Sequence, residues 1–162
     1  MVGLILREIE GVRNELVVDW RAENLEEKSG RITRGAALAL KSRVLLYAAS
    51  PQFNPSGEKS KWAAAAAAAF EVINMGIYSL HPDYGGLFVA ETSTTSPETI
   101  WAVRMGATNE FERKNYPIGT QGGGTGICPS QNLVEAYEST GEDTGDAYAG
   151  LDPRFYATVL RN

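Results

Sequence analysis

The stretch that decides the fold runs from Gly30 to Pro55 and reads GRITRGAALALKSRVLLYAASPQFNP. Residues 35–49 contain only three polar side chains, which are adjacent; the others are Ala, Leu, Val, Tyr or Gly. A helix that is apolar around most of its circumference is buried by neighbours on several sides. Thr33 is a suitable N-cap, and Pro51 disfavours helical geometry at the residue before it. The stretch therefore predicts the central helix of a multi-helix stack.

A second helix is predicted in the stretch KSKWAAAAAAAFEVINMG at residues 59–76, where Ser60 offers an N-cap and the alanines have the highest helix propensity. One stripe at helical spacing is expected to face the central helix, and it consists of Trp62, Ala66, Phe70 and Ile73. The loop between the two helices is short and contains proline, so we expect an antiparallel pair. The Ala66-x-x-x-Phe70 spacing matches part of the tetratricopeptide pattern.

The flanking regions contain weaker signals. An amphipathic pattern predicts a helix at Leu4–Val18, and alternating apolar residues predict one short strand at Thr99–Met105. A short helix capped by Ser130 is expected at Asn132–Tyr137, and Asp152–Arg161 is interpreted as strand or extended chain. The predicted fold class is mainly α, with tetratricopeptide-like antiparallel helix pairs and a loop-rich, minor-β C-terminal half.

Length and charge limit the possible functions. At 162 residues the chain is one domain or part of a larger one. We expect a single partial domain over 1–162, in which 1–80 form a helical-repeat part and 81–162 a loop-rich part. The net charge is −5 and the 15 Lys and Arg residues are scattered, which argues against nucleic-acid binding. No apolar run is long enough to span a membrane.

The residue types that usually carry catalysis are sparse. The only cysteine is Cys128 and the only histidine is His81, so an internal disulfide and a Cys/His metal site are excluded, and no cofactor is expected. The glycine run Gly119–Gly126 lacks the Lys-Ser/Thr pair of a phosphate-binding loop and predicts a structural loop. A pair of carboxylates like that of glycoside hydrolases stays an open alternative. Such a pair is defined by the distance between the two carboxyl groups in the folded protein, which the sequence does not give. We do not expect an enzyme.

Aromatic and hydrogen-bonding side chains are mixed in the loop-rich half. The faces of sugar rings carry C–H groups that stack on aromatic planes, while their hydroxyls need amide, carboxylate or guanidinium partners. Within thirteen positions the chain offers that mixture, and the candidate glycan-binding residues are Arg104, Asn109, Phe111, Asn115 and Tyr116. A role for Phe111 and Tyr116 as hydrophobic plugs under loops is equally open.

Five segments, in order along the chain, resemble the SusD/RagB-like family of outer-membrane glycan-binding lipoproteins. They are GRITRGAALALKSRVLLYAASPQFN, KWAAAAAAAFEVINMGIYSL, ETIWAVRM, PSQNLVEAY and LDPRFYATVL, and they extend across residues 30–160. Two features depart from the family: Leu151 stands where Arg is usual, and the lipidated cysteine of the mature N-terminus is absent. Because family members are longer, we expect this chain to be an internal part of such a protein.

The resemblance implies non-catalytic capture of oligosaccharides at the outer-membrane surface for nutrient uptake in polysaccharide utilisation. The implied partners are an oligosaccharide and a TonB-dependent, SusC-like outer-membrane transporter, which the family caps with its helical repeats. The membrane would be reached only through a lipid anchor that this chain does not contain. Two alternatives stay open: a helical-repeat protein–protein adaptor that uses the Trp62/Phe70 face without sugar binding and, less favoured, a glycoside hydrolase.

Overall fold

The computed structural model describes most of the chain; the described residues are 1–20, 28, 30–89, 95–103, 106, 108–139, 141 and 145–161. Within them there are six α-helices and no β-strand, which confirms the mainly α fold class but not its minor-β component. Two compact units make up the chain, the first comprising Met1–Pro82 with Ala90–Arg104 and the second Asp83–Val89 with Met105–Asn162. The helices are α1 (Val2–Val12), α2 (Arg34–Ala49) and α3 (Lys59–Ile73) in the first unit, and α4 (Glu110–Asn115), α5 (Gln131–Glu135) and α6 (Pro153–Thr158) in the second.

The first helix is shorter than predicted, because α1 ends at Val12 and not at Val18. Arg34 explains the early end: its Nε donates to the carbonyl oxygen of Arg13 at 3.0 Å, and its guanidinium also donates to that of Asn14 at 3.3 Å. Carbonyl groups at the end of a helix lack intrahelical partners. A side chain from the start of α2 therefore supplies the hydrogen bonds that a further helical turn would have made.

The central helix, α2, has the ends that its sequence predicted. The hydroxyl oxygen of Thr33 accepts a hydrogen bond from the Ala36 amide at 3.2 Å, so the predicted N-cap is confirmed. At the other end Ser50 is extended, with φ −60° and ψ 154°, which is the geometry that Pro51 favours in the residue before it.

Helices α2 and α3 pack against each other, and a buried asparagine joins their adjacent ends. Asn54 Nδ2 donates to the carbonyl oxygens of Ala49 (3.4 Å) and Glu58 (3.1 Å), and its Oδ1 accepts from the Glu58 amide at 2.9 Å. Glu58 is the N-cap of α3 and makes no side-chain capping bond, so the prediction of Ser60 as the cap was wrong. At the opposite end Gly35 of α2 lies against Tyr78, which follows α3, so the two helices run antiparallel.

The face of α3 that packs is not the predicted one. Ala65 and Ala68 are the buried residues of α3, whereas the predicted stripe is exposed; Trp62 is 45% exposed, Phe70 57% and Ile73 67%. Alanine lets two helix backbones approach closely, and the large side chains are left on the outer side. The residues that α2 buries are also mostly small, namely Gly35, Ala37, Leu38 and Ala49.

The strand predicted at Thr99–Met105 is not formed over Thr99–Val103, and its last two residues lie outside the described part. The alternation of apolar residues is real, but no strand in the described residues lies alongside to pair with it. Trp101 uses its indole Nε1 to donate to the Gly30 carbonyl oxygen at 2.8 Å instead. A side-chain hydrogen bond thus holds this segment in place, whereas backbone hydrogen bonds to a neighbouring strand were expected.

The second unit packs around Phe155, which is 1% exposed and lies on α6. The prediction of extended chain at Asp152–Arg161 was therefore wrong. Pro153 occupies the first helical position, and Asp152 caps the helix by accepting from the Arg154 amide at 2.8 Å. Side-chain and backbone hydrogen bonds from Arg154 lower the pKa of Asp152 to about 2. The rings of Tyr137, Tyr148 and Tyr156 surround Phe155.

The short helix predicted near Asn132 is present as α5, and Ser130 caps it as expected by accepting from the Leu133 amide at 3.3 Å. An isolated antiparallel β-bridge joins Ser139 and Leu151 in this unit. The second unit is therefore built from short helices and loops around an aromatic cluster.

Candidate glycan-binding site

Four of the five candidate residues lie on or beside α4 in the second unit, and the fifth, Arg104, lies outside the described residues. Asn109 is the N-cap of α4, Phe111 is in its first turn, Asn115 is its last residue and Tyr116 is its C-cap. This helix was not predicted from the sequence. One short element consequently brings the four described candidates together.

The aromatic members of this group form a pair. The ring centroids of Phe111 and Tyr116 are 6.4 Å apart and the planes are inclined by 80°, an edge-to-face arrangement. Phe111 is 66% exposed and Tyr116 38% exposed. An exposure of two thirds is incompatible with the alternative in which Phe111 plugs the interior under a loop, so the pair presents ring surface outward.

Two carboxamides accompany the rings. Asn115 Nδ2 donates to the Phe111 carbonyl oxygen at 2.8 Å, which fixes the amide and leaves its Oδ1 available as an acceptor. Asn109 is exposed and makes no side-chain capping bond, although an N-cap asparagine usually does. Its amide therefore keeps both donor and acceptor capacity for a ligand.

The glycine run predicted as a structural loop packs against the C-terminal end of α4. The amides of Gly126 and Ile127 both donate to the Lys114 carbonyl oxygen, at 2.9 and 2.7 Å, and the Thr125 amide donates to that of Tyr116 at 3.0 Å. These carbonyls would otherwise lack partners at the helix end. The loop thus fixes the backbone that carries Tyr116, a role that the local sequence pattern does not indicate.

Close backbone contact explains why two of these positions are glycine. A Cβ at Gly123 would collide with the carbonyl oxygen of Pro117 and lie 2.8 Å from that of Tyr116, and one at Gly124 would lie 2.8 Å from that of Arg113. A side chain at either position would push the loop away from α4. Glycine is needed here for space, since neither residue has a positive φ.

Charges on α4 follow the helix dipole. Glu110 and Glu112 lie in the first turn and Arg113 and Lys114 in the last. Lys114 pairs with Glu110 at 3.2 Å on the exposed side, whereas the Oε2 atom of Glu112 is enclosed and has no hydrogen-bond partner in the described part of the chain. The exposed side of the site therefore carries both signs of charge beside the amides of Asn109 and Asn115.

A second exposed ring pair in the same unit was not among the predicted site residues. Tyr84 and Phe88 have ring centroids 5.3 Å apart, inclined by 74°, and are 41% and 66% exposed. The Tyr84 hydroxyl lies 3.5 Å from the Thr158 hydroxyl. The four-residue spacing of the two aromatics was the available signal in the sequence, but this pair has no carboxamide neighbour like those of the α4 pair among the contacts described.

Comparisons with protein-family models, with curated proteins and with solved structures found no match to this chain. Among the described residues, no helix combines the length and apolar character needed to cross a membrane. In the same residues no group of three or more His, Cys, Asp or Glu side chains is arranged to hold a metal ion. The α4 site therefore offers a ligand aromatic ring surface and amides, beside the charged side chains of the helix.

Proposed function

We propose that this protein binds oligosaccharides without cleaving them, through the surface formed by α4 and Tyr116. The observation that carries the proposal is the exposed, nearly perpendicular ring pair of Phe111 and Tyr116 with the amides of Asn109 and Asn115 beside it. The C–H face of a pyranose stacks on an exposed ring, and its hydroxyls pair with the amides, which both donate and accept.

Preorganisation favours this use of the surface. The loop hydrogen bonds hold the backbone of Tyr116, and the bond from Asn115 holds the backbone of Phe111. A ligand that binds groups already fixed in place loses less conformational entropy in the complex. Because α4 and its loop already hold these groups in place, a small number of contacts with the ligand is enough for binding.

The resemblance to the SusD/RagB-like family supports the wider setting of the proposal. In that setting the chain belongs to an outer-membrane surface protein that delivers glycans to a TonB-dependent, SusC-like transporter. The antiparallel contact between α2 and α3 agrees with tetratricopeptide-like helix pairs, which are part of the same proposal. Nutrient uptake is the process served.

The test is the affinity of the chain for a panel of oligosaccharides, measured by calorimetry for the wild type and for Phe111→Ala and Tyr116→Ala. If a sugar ring covers roughly 50 Å² of apolar ring surface, about 25 cal/mol/Å² corresponds to an affinity loss of about tenfold for either variant. Phe53→Ala is the matched control, because it removes an equally exposed ring, 58% exposed, from the first unit.

Unchanged affinity in both α4 variants would remove these residues from the site. Phe88→Ala then shows whether the Tyr84/Phe88 pair binds the sugar instead. Release of reducing ends during incubation would contradict the non-catalytic part of the proposal.

A protein-binding adaptor is the second candidate, and one observation favours it. Trp62, Phe70 and Ile73 form an exposed apolar stripe on α3, which is the kind of surface that a protein partner covers. An adaptor of this kind would bind no member of the oligosaccharide panel, so the same calorimetric experiment separates the two functions.

A further inference from the structure

An apolar hollow lies in the first unit, apart from the α4 site. Its volume is about 670 Å³, which is within the range of roughly 300–1,000 Å³ typical of small-molecule sites. Beside the first two residues of the chain, it is lined by Arg43, Val44, Tyr47, Ala48, Phe53 and Lys61. Three helices and the loop between α2 and α3 therefore contribute to its walls.

The dimensions of the hollow favour a small ligand over a docked helix. The part of α2 that lines it, Arg43 to Ala48, corresponds to about 7.5 Å of helix axis. A partner helix packs along several turns, whereas this hollow borders only about one and a half turns of α2. A single flexible apolar chain matches this space.

The charges around the hollow favour a negatively charged ligand. Its charged lining residues are Arg43 and Lys61, and no acidic residue lines it, although the chain as a whole has a net charge of −5. Arg43 has no ion-pair partner in the described part of the chain. Lys61 lies 3.4 Å from an oxygen of Glu58, a pair that is exposed on both sides and therefore weak.

We propose that this hollow binds an aliphatic carboxylate of medium chain length. The hydrocarbon chain lies against Val44, Ala48 and Phe53, and Arg43 pairs with the carboxylate, to which Lys61 adds positive potential. Guanidinium is suited to this role because it can donate two parallel hydrogen bonds to one carboxylate. The inference is independent of glycan binding, which concerns the other unit.

The probes are decanoate, decan-1-ol and decyltrimethylammonium, which share a chain length and differ in charge. Binding to the whole chain is measured by equilibrium dialysis at low ionic strength. We expect decanoate to bind roughly three- to tenfold more tightly than decan-1-ol and the cation to bind most weakly, as expected for one charge-assisted contact. The preference should decrease as salt is raised, because exposed charges are screened.

Variants locate the binding. Arg43→Gln should make decanoate and decan-1-ol equal, and Ala48→Trp, which fills the hollow, should abolish binding of both. Lys59→Gln is the control, because Lys59 is a neighbouring exposed cation that does not line the hollow. Thermal unfolding followed by tryptophan fluorescence establishes that each variant is folded.

The proposal is overturned if decanoate does not bind, or binds no better than decan-1-ol. It is equally overturned if Arg43→Gln and Lys59→Gln have the same effect, or if a folded Ala48→Trp variant binds decanoate as the wild type does. If Ala48→Trp does not fold, the comparison of Arg43→Gln with Lys59→Gln decides alone.

Discussion

Gly123 and Gly124 are the residues on which the position of the aromatic pair depends. Both lie so close to carbonyl oxygens at the end of α4 that a side chain cannot be accommodated without movement of the loop. The loop in turn supplies the amide that bonds to the carbonyl oxygen of Tyr116. Thr125 has φ +49°, which is unusual for a residue with a side chain, and its hydroxyl accepts from the Ile118 amide at 3.0 Å.

Gly123→Ala should destabilise the second unit by about 1–3 kcal/mol, as for other substitutions that overpack a close contact. Hydrogen exchange at the Thr125, Gly126 and Ile127 amides should accelerate, because their bonds to α4 are broken when the loop moves. Gly119→Ala is the control, since nothing lies within 4 Å of a Cβ there, and it should change stability by less than about 0.5 kcal/mol. Equal exchange rates in the two variants would show that the loop does not depend on this contact.

At the scale of the elements, helix packing in the first unit is decided by small residues. Ala68 is 2% exposed where α3 meets α2, whereas Ala67, next to it in the chain, is exposed. The alanine run is therefore not uniform: one side of it forms the contact and the other faces outward.

Ala68→Leu should destabilise the first unit by about 1–3 kcal/mol through overpacking, and Ala67→Leu should have little effect. Both substitutions have the same chemistry and the same helix propensity cost, so the difference isolates the contact between the helices. Urea unfolding followed by tryptophan fluorescence measures it, since the chain's three tryptophans all lie in the ranges of the first unit. A larger loss of stability in Ala67→Leu than in Ala68→Leu would contradict this. It would show that α3 packs against α2 through the face that carries the large side chains.

An ion cluster links the three long helices. Lys41 Nζ lies 2.7 Å from Glu10 and 2.9 Å from Glu71, and Arg13 lies 3.1 and 3.0 Å from the same two carboxylates. The hydrogen bond from Lys41 lowers the pKa of Glu10 below its usual 4.5. Partial burial opposes a raised pKa for Lys41, but its bonds to Glu10 and Glu71 outweigh it and hold the pKa above 10.5.

The pH dependence follows from these directions. Glu10 has a lowered pKa in the folded state, so its contribution to stability is present above pH 4.5 and is lost as the pH falls through the lowered value. Lys41 has a raised pKa, so its contribution is present below pH 10.5 and is lost as the pH rises through the raised value.

Lys41→Met should therefore lower the free energy of unfolding at neutral pH by about 1 kcal/mol and flatten the loss of stability in acid. Lys114→Met removes a cation from an exposed pair on α4 and should leave the acid limb unchanged. Unfolding free energies measured from neutral pH to about pH 3 test this. An unchanged acid limb in Lys41→Met would mean that the cluster does not couple to folding.

The elements that the sequence predicted are those whose signals are local. The Thr33 cap, the stop at Pro51 and the Ser130 cap each act within four residues, and all three are present. The end of α1 depends on Arg34, about twenty residues away, and the segment at Thr99–Val103 needed a neighbouring strand that local alternation does not reveal. The helix after Asp152-Pro153 did have a local signal, a capping Asp followed by Pro, which was missed.

On the scale of the whole molecule, the two units divide the proposed tasks. The candidate glycan surface on α4 lies in the second unit, and the apolar hollow between the helices lies in the first. Composition was enough to predict Asn109, Phe111, Asn115 and Tyr116 as a group, because they are close in sequence and one helix joins them. Composition could not predict the contribution of the loop, because the contacts of Gly123 and Gly124 exist only in the folded chain.

The most direct test of non-catalytic glycan binding is an amide chemical-shift titration of the labelled chain with the tightest oligosaccharide of the panel. We expect the shifts to concentrate between residues 109 and 127, with the α2 and α3 amides unmoved and the sugar recovered at its original length. Shifts centred on Trp62 and Phe70, shifts nowhere in the chain, or a shortened oligosaccharide would contradict it.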